Sequence, residues 1–322
     1  MALMPRSPVA IPARVVGRVA GLQPRLRLHD VVGVCRPRQW AKNVFLLAPL
    51  FFSMSLGSLS AVQATVLAFG CFCLWSSAVY AVNDVLDAPT DRRHPRKRLR
   101  PVAAGRITPG AALGLAFILA VSAALAAAAL LPAAFLGCAA LYLLNSLAYC
   151  MVLKHRVIVD VLSIAMGFVL RLLAGCAAIG VQPSSWIILC GFSLALILGY
   201  GKRRLEIAAL ERPGDYRANL ESYSIDKLNL LLAVTAALCL LSYALYTVAP
   251  QTVLLHGTER LIYTVPFVAY GVFRYLFKVQ EGNHDGPVEL LLTDRVFLVN
   301  GVLWLASVLV ILYLAPLVGA RL

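Results

Sequence analysis

Acidic side chains are scarce in this chain: fifteen Asp and Glu stand among 322 residues, against twenty-nine Lys and Arg. Charged residues of both signs reach only 14%, where a soluble domain carries about a quarter. With 61% hydrophobic residues and a mean hydropathy of +0.81, that deficit excludes a soluble globular fold and implies an integral membrane protein. Paired cysteines are also missing. The eight cysteines (positions 35, 71, 73, 138, 150, 176, 190 and 239) make no C-x-x-C pair, and the five histidines are isolated from one another, so neither zinc nor a disulfide framework is expected. The first thirty residues lack the uninterrupted apolar core of a signal peptide. Their arginines (Arg6, Arg14, Arg18, Arg25, Arg27) suggest a basic cytoplasmic tail over residues 1–35, ahead of one transmembrane domain over 36–322.

Long apolar runs are what the chain has in abundance. Nine stretches are long enough to span ~30 Å of hydrocarbon at about 1.5 Å per residue. They lie near 42–58, 61–84, 109–131, 133–153, 157–180, 184–201, 227–248, 260–278 and 295–318. The expected fold class is therefore an all-α integral membrane protein with nine transmembrane helices.

The net charge of +14 would suit a nucleic-acid partner, but its distribution excludes one. Residues 1–42 hold eight Lys or Arg, the loop 85–108 seven and the loop 202–227 six, with Lys154 and Arg156 in a short turn between. The alternate turns near 59–60, 132, 181–183 and 249–259 hold none. Every second loop is basic, which places these loops and the N-terminus in the cytoplasm, with the chain in the inner (cytoplasmic) membrane. The long polar loops at 85–108 and 202–227 lie four spans apart, which suggests two four-helix-like halves around one cytoplasm-facing cavity.

The second apolar stretch ends in Asn83-Asp84-Val85-Leu86-Asp87-Ala88-Pro89-Thr90-Asp91, and seven Lys or Arg follow within fifteen positions. Carboxylates spaced by three and four residues can converge on one side of a helix end. Asp84, Asp87 and Asp91, with Asn83 beside them, suit a Mg²⁺ ion shared with substrate phosphate oxygens. Polar residues within other spans also need partners. Asp160 and Arg171, eleven residues apart, share a helix face but lie roughly 16 Å apart along it, too far to pair directly. That face, with Gly167 and Gly175, and Asn145 in the preceding span, points to a polar bundle interior.

The acidic element, followed by Arg98-Leu99-Arg100-Pro101-Val102-Ala103-Ala104-Gly105 and by the segment from Lys154 to Gly175, resembles the UbiA superfamily of intramembrane prenyltransferases over residues 30–318. The closer resemblance is to its polyprenyl-phosphate phosphoribosyltransferase branch. It rests on Arg36-Pro37-Arg38-Gln39-Trp40-Ala41-Lys42-Asn43, Ala78 to Asp84, His94-Pro95-Arg96-Lys97-Arg98, Gly201-Lys202-Arg203 and Leu220-Glu221-Ser222-Tyr223. Ordinary members carry a second aspartate-rich motif after the sixth span, where this chain reads Gly-Lys-Arg-Arg-Leu-Glu from position 201. One acidic and one basic motif suit two phosphorylated substrates.

The resemblance implies transfer of 5-phosphoribose from phosphoribosyl diphosphate (PRPP) to a polyprenyl phosphate, with Mg²⁺ as cofactor and an arabinofuranosyl lipid donor for cell-wall arabinan as the pathway. Asn83, Asp84, Asp87 and Asp91 would hold metal and diphosphate. Lys97 and Arg98, Lys42 and Arg38, and Lys202 and Arg203 would meet phosphates, Tyr80 would bound the sugar, and Lys154 is a further phosphate candidate. Two alternatives are a prenyltransferase joining a prenyl diphosphate to an aromatic acceptor, and a membrane transporter. The basic motif at 201–206 disfavours the first. The second disagrees with charges that crowd the cytoplasmic helix ends, since transporters favour broken helices at the midplane.

Overall fold

A computed structural model describes residues 27–209, 218–282 and 286–314. Residues 1–26 of the basic tail, and Asp215, Tyr216 and Arg217 of the long second loop, lie outside the described residues. Among the described residues every regular element is helical. In chain order these are α1 (Leu28–Cys35), a 3-10 segment (Pro37–Leu47), α2 (Ala48–Phe52), α3 (Leu59–Asp91), α4 (Pro109–Leu130), α5 (Ala133–Met151), α6 (Val159–Ile179), α7 (Ser185–Ala208), α8 (Ile225–Val248), α9 (Pro250–His256), α10 (Val265–Glu281), α11 (Pro287–Thr293) and α12 (Arg295–Leu309). Seven of them, α3 to α8 and α12 with its continuation to Leu314, are long and apolar enough to cross a membrane, which fits a multi-pass membrane protein.

Two of the nine expected stretches take other forms. The 42–58 run is no continuous α-helix: it is the end of the 3-10 segment, then five residues of α2, then a turn at Met54 with φ 59. Pro49 explains the break, because it has no N–H to return to Phe45. The 260–278 run begins as a 3-10 turn over Arg260–Thr264 and continues as α10, only seventeen residues long. Pro266 stands in its first turn, and Arg274 and Lys278 lie within three turns of its end.

Two apolar cores meet on one helix. Phe72, Trp75, Phe135 and Tyr142 pack α3 and α5 against Leu170, Ala174 and Ala178 of α6. Val161, Ala165 and Phe168, on the first half of α6, pack against α7, α8 and α10 through Ile197, Tyr200, Leu232 and Tyr275. The 3-10 segment lies against α6 so closely that a Cβ on Gly175 would sit 2.2 Å from the Leu46 carbonyl oxygen, so only glycine fits there.

Polar side chains stitch the interior. Arg171 donates from Nε to Asn43 Oδ1 (2.7 Å), from Nη1 to the Gly167 carbonyl (2.8 Å) and from Nη2 to the Tyr142 hydroxyl (2.9 Å). Its guanidinium also lies over the Tyr142 ring at 4.5 Å. Asn145 donates to the Ser163 carbonyl and accepts from the Ser163 hydroxyl, joining α5 to α6. Arg171 and Asp160 thus satisfy themselves separately, as their spacing requires.

Candidate active site

Helix α3 has thirty-three residues and at about 1.5 Å each is roughly 50 Å long, well beyond the ~30 Å hydrocarbon core. Its final turns therefore carry Asn83, Asp84, Asp87 and Asp91 to one end of the bundle. Asp84 is 1% exposed rather than presented on an open helix end. Its Oδ1 accepts from Arg36 Nη2 and, at 3.4 Å, from Arg100 Nη1. The same Arg100 Nη1 reaches Asp91 Oδ2 at 2.6 Å, so one guanidinium bridges carboxylates seven positions apart. Asp87 turns elsewhere: its Oδ2 accepts from Asn83 Nδ2 at 2.9 Å, and its Oδ1 pairs with Lys154 Nζ.

The expected convergence of three carboxylates is thus only partial. Asp84 and Asp91 share Arg100, while Asp87 engages Lys154, and among the described residues no three acidic, His or Cys side chains gather as a metal cluster. The donors nevertheless fit Mg²⁺. They are hard oxygens, Asp84 Oδ2 is buried with no hydrogen-bond partner, and Mg²⁺ commonly takes only one or two carboxylates beside substrate phosphates.

Basic residues from separate segments reach this cluster. Arg36 holds φ 51, a left-handed conformation strained for a side-chain-bearing residue, and the following Pro37 opens the 3-10 segment. Its guanidinium lies 5.3 Å from the Tyr80 ring centroid and Lys42 Nζ 5.9 Å, so two cations flank the ring one turn before Asp84. Lys42 feels the charges of Arg36 and Arg171 and the Tyr149 phenol, and Lys202 on α7 feels Lys42, Tyr149 and Glu206. Lys97, in the loop after α3, lies within range of Glu206, Lys202, Arg100 and Asp91. Burial lowers its ammonium pKa from the usual range; Glu206 opposes this, and Lys202 and Arg100 add to it. Burial likewise lowers the Arg36 pKa, with Arg100 adding and Asp84 opposing.

Other predicted contacts fall differently. Arg38 is exposed, on the rim of a cavity of about 560 Å³ also lined by His29, Gly33, Arg36 and Gln39. Arg98 is exposed on the loop. Lys154 is buried and already paired with Asp87. The expectation for Arg203 needs correction. It is 0% exposed, its Nε lies 2.7 Å from Asp160 Oδ2, its Nη1 pairs with Glu206, and its Nη2 donates to the Tyr149 hydroxyl at 3.0 Å. Its charge is engaged inside the protein. Asp160, also 0% exposed, accepts further from Asn219 (2.9 Å), from the Tyr223 hydroxyl (3.0 Å) and from the Val161 N–H (2.9 Å). This network ties the 218–223 segment to the start of α6 and the end of α7.

Arg36, Arg100 and Glu206 stand inside the motifs, but local spacing gives them no role, and no motif contains Tyr149. The proline after Arg100 is the available signal for that residue, since the position before a proline is held extended, as Arg100 is (φ −62, ψ 144). Arg36 before Pro37 is left-handed and does not follow that rule. At Gly201 a Cβ would lie 2.2 Å from the Tyr275 hydroxyl, so the glycine before Lys202 lets α7 meet α10 closely.

Comparison with known proteins completes the picture. The sequence pattern of the UbiA prenyltransferase family matches residues 45–301. The chain is 34% identical over 304 residues to a decaprenyl-phosphate phosphoribosyltransferase of Corynebacterium glutamicum, covering 92% of this chain and 90% of that protein. It is 34% identical over 283 residues to the protein of the same name from Mycobacterium tuberculosis, covering 86% and 92%. In three dimensions it is similar to a UbiA homolog from Archaeoglobus fulgidus bound to GPP and Mg²⁺, with a TM-score of 0.68 at 17% identity, covering 88% of this chain and 99% of the other.

Proposed function

Because the chain belongs to the UbiA prenyltransferase family, and its relatives over most of its length are decaprenyl-phosphate phosphoribosyltransferases, we propose that it transfers 5-phosphoribose from PRPP to a polyprenyl phosphate, releasing diphosphate. The observation that carries the reading is the acidic motif held by Arg36 and Arg100 from two separate segments, with Lys42 5.9 Å from the Tyr80 ring one turn before Asp84. A pair of substrates bearing a diphosphate and two phosphate monoesters needs such a surplus of cations.

In the reaction the bond between ribose C1 and the diphosphate oxygen breaks, and a lipid phosphate oxygen bonds to C1. The attacking oxygen is already anionic at neutral pH, so no strong general base is needed. Asp84 Oδ2, which has no hydrogen-bond partner, would hold a Mg²⁺ that neutralises the leaving diphosphate, with Asn83 and Asp87 joining it on release of their bond to each other and of Lys154. Arg36 and Arg100, held on Asp84, lie where they can turn to phosphate oxygens with forked geometry. Lys97 and Lys202 suit the leaving group or the 5-phosphate, and Lys42, beside the Tyr80 ring, suits the phosphate next to the sugar. The carboxylates of Asp84 and Asp91 favour the positive charge that develops on the ribose ring. Positioning supplies the remaining rate enhancement.

The loop asymmetry supports a nine-crossing arrangement in the cytoplasmic membrane, with the cavity facing the cytoplasm and the product serving as precursor of an arabinofuranosyl lipid donor. Membranes expressing the chain, given PRPP and polyprenyl phosphate, should yield a lipid heavier by one phosphoribosyl group in mass spectrometry. Product formed only from a prenyl diphosphate and an aromatic acid would overturn the assignment.

A further inference from the structure

A second basic cavity lies on the outer surface of the helix bundle. It holds about 350 Å³ between the C-terminal half of α10 and the α11–α12 junction, and is lined by Arg274, Lys278, Thr293, Asp294, Arg295 and Val296. It sits at the same end of the bundle as the candidate active site, because Arg204 on α7 donates to the Val279 carbonyl, one residue beyond Lys278, at 2.6 Å. It faces outward from that site. Gly271, Val272, Tyr275 and Val279 form the buried side of α10, whereas Arg274 and Lys278 lie on another face.

Three cations line this cavity against one carboxylate, and they differ in how firmly they are held. Arg274 meets both oxygens of Asp294 at 2.9 Å, a fork that fixes one wall. Lys278 pairs at 2.7 Å with Glu281, whose side chain is 47% exposed, so that pair contributes little and can exchange its partner. Arg295 is exposed and has no acidic partner among the described residues. The Asp294 carboxylate is itself occupied, receiving the Phe297 N–H as the N-cap of α12 in addition to Arg274. Lys278 and Arg295 are therefore the groups left for an anion, since the Thr293 hydroxyl beside them already donates to the Glu289 carbonyl at 2.8 Å.

The neighbouring surface decides the class of anion. Phe273 (51% exposed) and Phe277 (71%) run up α10 beside the basic column, and Val299 and Val302 are exposed on α12. Exposed apolar faces on α10 and on the membrane-length α12, next to a basic pocket at their charged ends, match the two parts of a lipid, with chains along the helices and headgroup in the pocket. We propose that this cavity is a binding site for the phosphate headgroup of an anionic phospholipid, its acyl chains lying along the Phe273–Phe277 face of α10 and the adjacent face of α12. The site is separate from the reaction centre, and the inference does not depend on the activity proposed above.

The test is native mass spectrometry of the full chain in detergent, titrated separately with phosphatidylglycerol, phosphatidylcholine and inorganic phosphate. Phosphatidylglycerol should be retained in preference to phosphatidylcholine. Lys278→Gln with Arg295→Gln should weaken its retention by roughly 25-fold, at about fivefold for each cation lost near a membrane anion. Arg295 is exposed, and Lys278 is half-buried with only an exposed partner, so this double variant should keep its fold, as thermal unfolding will report. The control is Arg93→Gln with Arg156→Gln, which removes two exposed cations elsewhere on the charged loops. An equal loss of lipid in that control would reduce the effect to general surface charge and overturn the site. Equal retention of phosphatidylcholine would overturn it as well. Full displacement of the lipid by inorganic phosphate at comparable concentration would reassign the cavity to a soluble phosphate.

Discussion

Replacing Arg203 separates two roles that the sequence alone cannot tell apart. As a phosphate ligand it would be dispensable for folding and essential for substrate affinity. As placed here it is 0% exposed and lies between Asp160 and Glu206, so its removal strands a carboxylate that is itself 0% exposed. Removing one partner of a buried ion pair costs about 3–5 kcal/mol. Asp160 keeps hydrogen bonds from Asn219, Tyr223 and the Val161 N–H, which moves the expectation toward the lower end, about 3 kcal/mol, or more than a hundredfold in the folding equilibrium. Arg203→Gln should therefore lower thermal stability in detergent strongly. Asp160→Asn in the same chain should restore part of that loss, since neither charge then remains unpaired, with a coupling of about 0.5–3 kcal/mol. PRPP affinity, measured by calorimetry on the protein that stays folded, should fall far less than stability. The reasoning fails if Arg203→Gln melts like the parent chain and loses PRPP binding, or if the double variant is no more stable than the single one.

Asp84→Asn should reduce turnover at least a hundredfold at saturating Mg²⁺, and should also destabilise the fold, because a neutral amide no longer balances Arg36 and Arg100 around a site that is 1% exposed. Activity above about a tenth of the parent's in a Mg²⁺ titration would remove the metal role. Lys202→Ala should raise the KM for PRPP by roughly ten- to a hundredfold, the worth of one charged hydrogen bond, with melting unchanged; an unchanged KM would return Lys202 to a role in topology alone. Burial and the nearby Lys97 charge hold the His94 imidazole below its usual pKa, and its Nδ1 accepts the Arg96 and Lys97 N–H groups at 3.2 and 3.3 Å. A depressed pKa means stability is fully present above the unfolded value near 6.5 and is lost as pH falls through the folded value. Melting curves from pH 8 to 5 should show this extra acid sensitivity in the parent and not in His94→Gln.

What was legible in the sequence follows from what each signal encodes. Hydropathy reports whether twenty residues can lie in lipid, and for α3 to α8 and α12 that was enough. It is blind to backbone form, so the 42–58 run read as a span although Pro49 and the eleven-residue 3-10 segment divide it. The acidic motif was legible because spacing along one helix is local information. Its partners were not, because Arg36 and Arg100 reach Asp84 from 48 and 16 positions away. The same limit governs the basic motif. Lys202 and Arg203 are adjacent, and about 100° of helical rotation separates them, so one can face a cavity while the other faces the core. Which does which depends on Asp160, whose spacing along α6 excludes a direct pairing with Arg171. A buried carboxylate without a local cation requires a distant one, and Arg203 meets that requirement. The role of Arg203 is therefore set by a carboxylate forty-three positions away and not by the basic motif in which it sits.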